Sequence, residues 1–505
     1  MGRLEGSELT QMRKSSRLRD LAKDTLFFLP AKAVPAVVGL LAVAIYTRLL
    51  SPKEYGQYVL VITAISILST VFFGWLNQAN LRFFEENRES TRLSVFTSTS
   101  LFSFLALLLL ITLLWYASTV ILERYTEGEI LPLLRLGGLV LGVHAGYSFI
   151  INILRAERKA LHYSLFASLD VIGRLGIAVL LIYFLALGPK GILWAHVIAT
   201  GALFFWGIAW FYRRWEVSLA VFTPNMLREF ASYGLPLVVL SIGELILSVS
   251  DRYIIGYFLG TDDVGVYAAG YNIASVGVSF FFMPLILAGF PILVQAYERE
   301  GEERVRYLFK NYLGVYFLIL LPVVAGISAL APFIAGIVLG NGYVAARDII
   351  PWIAIGTFFL GLSLCVNKPV QLKKVTKLLL YPIILASFLN LGINILLIPN
   401  FGIIGAAIAT SISYFASFGL TLWLSRTLLD WSFPWQSFIK VIIASMGMYL
   451  VLTLVTVRKS VTIYTLLGCS ILGAAVYFAI LIVLKEVLLQ RSLAWIKELA
   501  CSARR

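Results

Sequence analysis

Fourteen apolar runs of about twenty residues, separated by short polar connections, constrain this chain more than any other feature. A run of that length with few charges crosses a bilayer as a helix. Lipid offers no partner to a bare peptide group, and a helix satisfies its own. The runs fall near residues 25–50, 56–79, 94–121, 130–153, 163–187 and 190–212, then 235–259, 264–294, 308–330, 347–372, 377–397 and 402–425, and last 437–457 and 461–484. The 264–294 run is long, and Pro332, Gly336, Gly340 and Gly342 blur the stretch 330–350. Of 505 residues 60% are hydrophobic and only 13% charged, and no connection is long enough for a separate soluble domain. The expected fold class is all-α, a polytopic membrane protein with 14 transmembrane helices.

The runs also repeat. Leu18-Arg19-Asp20-Leu21-Ala22 returns 209 positions later as Leu227-Arg228-Glu229-Phe230-Ala231. With no gap, the same offset carries Gly56 and Tyr58 onto Gly265 and Tyr267. It also carries Thr63, Ser66, Thr70, Phe72 and Phe73 onto Asn272, Ser275, Ser279, Phe281 and Phe282. With one gap, Gly191-Ile192 and Ile198-Ala199-Thr200 resemble Gly402-Ile403 and Ile408-Ala409-Thr410. Agreement in one register indicates two homologous halves. Six spans per half is an even number, so both halves enter from the same side and their pseudo-two-fold axis follows the membrane normal. Halves of this kind enclose a central cleft that rocks open to either face, the architecture of a transporter. The expected organisation is a cytoplasmic segment 1–24, six-helix lobes 25–212 and 213–425, and spans thirteen and fourteen with a cytoplasmic tail in 426–505.

A net charge of +14 would suit a nucleic-acid binder until the charges are mapped. With the N-terminus inside, cytoplasmic segments hold 28 of the 41 Lys and Arg residues, and the outer loops hold 6: Lys53, Arg124, Lys190, Arg347, Arg458 and Lys459. This positive-inside asymmetry puts both termini in the cytoplasm and makes the charge a matter of topology, with no nucleic-acid partner. Cys365, Cys469 and Cys501 are too scattered for a disulfide framework. The N-terminus lacks a short apolar core followed by a small-residue cleavage site, so the first span is expected to be retained. Thr223-Pro224 reads as the cap and first turn of a short helix entering span seven. The tail from Lys485 sets Leu488, Leu489, Leu493, Ile496 and Leu499 near one face, with Trp495 close by, as an interfacial amphipathic helix would.

Charge at mid-span costs roughly 2.5–3.5 kcal/mol on insertion scales, so it marks a cavity or a partner. Span seven carries Ser241, Glu244, Ser248 and Asp251, spaced three, four and three apart, which puts all four on one helical face. The repeat maps Ser241 onto Lys32, roughly 12 Å inward from Asp24 at 1.5 Å per residue. Lys32 reads as a cation on the wall of an inward-open cleft; the alternative is a stem that snorkels to the cytoplasmic surface. Asp170 and Arg174, four apart on span five, fit a structural ion pair as well as a ligand site. The substrate-binding candidates are Lys32, Arg174, Ser241 and Ser248; the coupling or gating candidates are Asp170, Glu244, Asp251 and Arg252. Arg48, Arg135 and Lys368 lie nearer span ends, where interfacial anchoring suits them.

Further stripes run through Thr63, Ser66, Thr70 and Asn77 on span two, His144, Ser148, Asn152 and Arg155 on span four, and Ser387, Asn390 and Asn394 on span eleven. Interhelical hydrogen bonding accounts for part of this, and a lone His144 is more often a packing residue than a proton relay. Polar faces on spans one, two, seven and eight suit a tall hydrophilic cleft of amphiphile size, cationic in its first half. No Gly-rich loop ends in Lys-Ser or Lys-Thr, so ATP hydrolysis is unsupported. Histidines at 144, 162 and 196 lack Cys or acidic neighbours at ligand spacing. No cofactor or metal is expected, and no catalytic residue.

The run RLLSPKEYGQY from Arg48 to Tyr58, with DRYIIGYFLG and VGVYAAGY between Asp251 and Tyr271, resembles the polysaccharide-transporter family. These are Wzx-like oligosaccharide flippases, of the superfamily that also holds lipid II flippases and multidrug-and-toxin exporters. The resemblance covers about residues 15–430 and marks fold and family rather than the sugar; two extra spans agree with a fourteen-span member. It implies alternating access at the plasma (inner) membrane, with a lipid-pyrophosphate-linked oligosaccharide carried from the cytoplasmic to the outer leaflet for cell-surface polysaccharide or glycan synthesis. The implied partners are that lipid-linked oligosaccharide and membrane lipids, with glycan polymerase or ligase machinery as candidates. Lipid II flippases hold pyrophosphate with basic residues on their first two spans; here span one has only Lys32 at depth and span two has none before Arg82. Drug exporters place an ion-binding acid within span one, and none stands between Asp24 and Glu54.

A lipid-linked oligosaccharide flippase is thus the leading reading, and a proton- or sodium-coupled exporter of small amphiphiles the alternative. A polytopic glycosyltransferase or polymerase would need an outer loop with catalytic acids, which the short outer loops do not provide. A scaffold would leave the buried charges on repeat-equivalent spans without a reason.

Overall fold

The structure is a computed structural model that describes residues 30–88, 92–124, 130–456 and 460–486, with side chains from residue 33 onward. The segment 1–24, the tail beyond residue 486 with Cys501, and the side chain of Lys32 lie outside the described residues. Among the described residues all regular structure is helical. Helix α1 spans Pro30–Leu49, followed by α2 (Pro52–Asn87), α3 (Leu93–Leu122), α4 (Ile130–Ala156), α5 (Ala160–Leu185) and α6 (Pro189–Arg214). Then come α7 (Pro224–Phe258), α8 (Thr261–Arg299), α9 (Glu302–Ala329) and α10 (Ala346–Leu372).

Next is one 49-residue helical stretch, Leu380–Leu428, broken at Gly402, whose φ of 58° and ψ of −145° are not helical. Only glycine takes that conformation without strain. The break separates α11 (380–401) from α12 (403–428). Last come α13 (Trp435–Thr456) and α14 (Ile463–Val483). Twelve described segments are long and apolar enough to cross a membrane, and the kinked one counts twice. With α1, whose apolar part Ala33–Leu49 is shorter, they make the fourteen spans expected from sequence.

Two local expectations change. Thr223-Pro224 opens α7 itself, with Thr223 O accepting from Leu227 N, so the separate short helix is the first turn of span seven. Before it lies a single 3₁₀ turn, Leu219–Val221, capped by Ser218. The blurred stretch near 330–350 is a short helix, Ala331–Val338, and a 3₁₀ turn, Asn341–Tyr343.

The chain divides into two compact units. The first holds the chain up to Ala42 and Leu60–Ile242. Its core is a run of ring contacts: Phe73 to Phe104 at 5.4 Å, Phe104 to Phe149 at 4.8 Å, Phe149 to Phe211 at 5.9 Å and Phe211 to Trp215 at 4.7 Å. These rings tie α2, α3, α4 and α6 together without polar atoms, at centroid spacings that aromatic pairs prefer. At one end Thr97, Ser98 and Thr99 of α3 are buried beneath the connection to α7. Ser98 Oγ accepts from Ser218 N at 3.1 Å, and Thr99 Oγ1 from Thr223 N at 3.4 Å.

The second unit holds Val43–Val59 and Gly243–Arg505. Helices α13 and α14 pack on α9 through Val441, Ala444, Met448, Leu452, Cys469, Tyr477 and Leu481. Tyr477 donates to Leu318 O at 2.7 Å, so the two helices beyond the repeat are pinned to it by an apolar patch and one hydrogen bond. Cys365 and Cys469 are free, buried thiols.

Candidate functional site

In the first unit, the i,i+4 spacing of Asp170 and Arg174 places them one turn apart on α5, and they pair at 2.8 Å. The opposing wall is a turn of π-helix, His196–Thr200, inside α6. Such insertions widen one turn and often sit at functional sites. Here it presents His196 and Thr200 to the pair. Thr200 donates to Asp170 Oδ1 at 2.6 Å, and Arg174 reaches His196 Nε2 at 2.8 Å. His196 Nδ1 lies 3.0 Å from Ile192 O. A carbonyl only accepts, so Nδ1 carries the proton, Nε2 accepts from the guanidinium, and the ring is neutral. His144 and Tyr147 of α4 interact electrostatically with the same pair. Asp170 is buried, while a quarter of the Arg174 side chain remains exposed.

Asp251 and Arg252 of α7 form a second network, in the second unit. Asp251 is fully buried. Its Oδ2 accepts from Tyr267 Oη, its Oδ1 accepts from Arg252 N at 2.9 Å, and the Arg252 guanidinium lies 3.6 Å away. Arg252 also donates to Ser248 O and stacks over the Tyr271 ring at 4.9 Å. Tyr271 Oη approaches Tyr414 Oη at 3.4 Å. A buried carboxylate with three partners and a guanidinium with a carboxylate, a carbonyl and a ring satisfy what burial demands of charge.

The span-seven stripe therefore splits. Ser241 and Ser248 are half-buried and, among the described residues, their hydroxyls bond only to their own helix, to Leu237 O at 3.4 Å and Leu245 O at 3.2 Å. Glu244 is exposed and, among the described residues, has no hydrogen-bonding or ionic partner. Asp251 departs from the expectation of an open face, because Tyr267 and Arg252 cover it. Deeper in the second unit, Asn390 Oδ1 accepts from Ser250 at 3.1 Å and from Asn394 at 3.0 Å, leaving Asn390 Nδ2 and Asn394 Oδ1 without a protein partner. Among the described residues no group of three His, Cys, Asp or Glu side chains could hold a metal ion.

Of the residues singled out from sequence, Asp170 meets Arg174, and Asp251 meets Arg252 beside Ser248. Among the described residues Glu244 has no side-chain partner and Ser241 bonds only within its own helix, while Lys32 lies in the first turn of α1 with its side chain outside the described residues. His196, Thr200, Tyr267 and Tyr271 were missed. The one available signal was VGVYAAGY, which sets Tyr267 and Tyr271 four apart. Anchoring suits Arg135, exposed and paired with Glu123 at 2.9 Å. It does not suit Lys368, which is buried with its ammonium 5.2 Å from the Phe290 ring.

An all-helical fold with twelve described segments long and apolar enough to cross a membrane defines a multi-pass membrane protein. The chain belongs to the polysaccharide biosynthesis protein family, whose profile matches residues 45–348. The resemblance to Wzx-like polysaccharide transporters read from RLLSPKEYGQY and VGVYAAGY is thereby borne out. The uncharacterized membrane protein MJ1068 of Methanocaldococcus jannaschii is 27% identical over 265 residues, 51% of each chain. The probable low-salt glycan biosynthesis flippase Agl15 of Haloferax volcanii is 26% identical over 207 residues, 41% of this chain and 44% of that one. The chain thus spans about half the length of the curated relatives it matches. In fold it is similar to the lipid II flippase MurJ, with a TM-score of 0.76 at 16% identity, over 90% of this chain and 98% of that one. A multidrug resistance MATE family transporter follows at 0.63 and 18% identity, over 79% and 97%.

Proposed function

We propose that this protein is a flippase that carries a lipid-pyrophosphate-linked oligosaccharide from the cytoplasmic to the outer leaflet of the plasma membrane by alternating access, for the synthesis of a cell-surface polysaccharide or glycan. One observation carries the reading: membership of the polysaccharide biosynthesis family, in a chain that keeps ionisable side chains inside its spans. A pure anchor or scaffold has no use for Asp170, Arg174, Glu244, Asp251 and Arg252 at a cost of a few kcal/mol each.

Lys32, Arg174, Ser241 and Ser248 contact the substrate in this reading. Arg174 suits a diphosphate because a guanidinium offers planar paired donors, and a quarter of its side chain stays open while Asp170 and His196 hold the rest. Asp170, Glu244, Asp251 and Arg252 serve coupling or gating. The termini lie in the cytoplasm, as the lysine and arginine distribution supports, and glycan polymerase or ligase machinery takes up the product. The protein itself performs no covalent chemistry.

A coupled exporter of small amphiphiles is a second reading, favoured by one observation: an exposed Glu244 carboxylate on a membrane span that has no partner among the described residues, which suits a coupling cation. The two readings part in the cell. Deleting the gene should leave lipid-linked oligosaccharide accumulating with its glycan on the cytoplasmic face and no surface glycan. Unchanged surface glycan, with new sensitivity to amphiphilic cations, would move the assignment to the exporter.

A further inference from the structure

We infer that the repeat-related glycines Gly56 and Gly265 form a bare-backbone seam that closes the outer ends of α2 and α8 and must part when the protein opens to that side. Both segments belong to the second unit. A Cβ built on Gly56 would lie 1.8 Å from Thr261 O and 2.9 Å from Gly265 N. One built on Gly265 would lie 2.0 Å from Pro52 O and 3.1 Å from Gly56 N. The 209-residue offset that carries Gly56 onto Gly265 also carries Pro52 onto Thr261. Each glycine therefore meets the repeat equivalent of the group its partner meets. A self-complementary contact of this kind arises where a two-fold axis passes through the touching residues. The pseudo-two-fold axis expected from the repeat then runs between Gly56 and Gly265.

The chemistry of the contact suits something that opens. A Cα–Cβ bond is about 1.5 Å, so Thr261 O lies within about 3.3 Å of Gly56 Cα and Pro52 O within about 3.5 Å of Gly265 Cα. That is the range of weak Cα–H···O contacts. Among the described residues no backbone–backbone hydrogen bond joins Pro52 or Gly56 to Thr261 or Gly265, so none of these is broken when the seam parts. Both helices begin here, α2 at Pro52 and α8 at Thr261, and their positive ends come together. Glu54, Asp262 and Asp263 in the first turns offset that charge. Glu54 is held there by a capping box, accepting from Ser51 N and Oγ at 2.9 Å each. Behind the seam Tyr55 is buried, with its ring 6.1 Å from Tyr343 and its hydroxyl bonded to Asn272. Tight packing at Gly56 and Gly265 thus shuts the end of a tyrosine-lined, polar interior, and any side chain there would hold it ajar.

Asn272→Cys, placed in a chain whose native cysteines are replaced, reports on the seam. It is labelled from the outer side with a membrane-impermeant maleimide in oriented vesicles. Gly56→Ala or Gly265→Ala should raise the labelling rate at least tenfold. Gly392→Ala, where a Cβ meets nothing within 4 Å, should leave it unchanged. Unchanged labelling in both seam variants at normal abundance overturns the inference. Should those variants not accumulate, Tyr55→Cys joined to Asn272→Cys by oxidation tests the same point. The cross-link should stop transport and reduction should restore it; transport at an undiminished rate while linked overturns the seam. The transport consequence rests on the flippase reading, but the labelling does not. If the uncross-linked protein moves no lipid-linked oligosaccharide, that reading fails and the labelling result stands.

Discussion

Removing the Asp170 carboxylate tests whether the α5–α6 network is an integral part of the fold. At 2.8 Å and an effective dielectric of 20, the attraction between Asp170 and Arg174 is about 6 kcal/mol before desolvation. Breaking a buried pair by deleting one member costs roughly 3–5 kcal/mol, because the other charge stays behind uncompensated. A quarter of the Arg174 side chain is exposed and His196 still accepts from it, so the lower end applies, about 3 kcal/mol for Asp170→Ala. Arg174→Ala should cost a comparable amount, since Asp170 keeps only its Thr200 donor. The double variant Asp170→Leu/Arg174→Leu should recover most of the loss, because apolar side chains leave no charge to solvate. Fluorescence-detected thermal unfolding of the purified protein in one detergent would compare all three. If the single variants unfold with the wild type, or the double variant loses the sum of the two, the pair does not carry the energy assigned to it.

Tyr267→Phe should lower the unfolding midpoint in the same assay by the equivalent of about 1–3 kcal/mol, since buried Asp251 loses a donor; an unchanged midpoint would show that Arg252 satisfies it alone. Lys32→Ala should abolish or sharply slow delivery of glycan to the outer face without lowering protein abundance, and Lys32→Arg should retain much of it. Normal delivery by Lys32→Gln would make Lys32 an interfacial anchor. Ser248→Cys should react with a membrane-impermeant thiol reagent from one side of oriented vesicles; no reaction from either side, in any trapped conformation, would remove it from the transport path.

The spans were legible because length and apolarity are all that a bilayer asks of a helix. The gap between the runs 377–397 and 402–425 fell close to the break at Gly402, but nothing in it said that helix continues up to the glycine. The 209-residue repeat carried further than the halves it defined, since its glycines prove to be the ones that touch. Asp170 and Arg174 could be paired on paper because four residues make one helical turn. Their other partners could not, because His196 and Thr200 arrive on a different helix through a π turn that no local pattern announces. Periodicity likewise put Asp251 on one face with Ser241, Glu244 and Ser248, yet could not say what covers that face. Tyr267, sixteen residues away, covers its deepest member. Lys368 was misjudged for the same reason: position near a span end suggested water, and Phe290 of α8 took its place.

The central claim is tested most directly by purified protein in liposomes, with a fluorescent lipid-pyrophosphate-linked oligosaccharide placed in one leaflet. Loss of that glycan from attack by a membrane-impermeant glycosidase reads its movement across the bilayer. The flippase account predicts protection that grows with time at a rate set by protein content and falls sharply for Lys32→Ala. Protection no faster than in protein-free liposomes, from a preparation that drives a small amphiphilic cation across the same membrane, would contradict it.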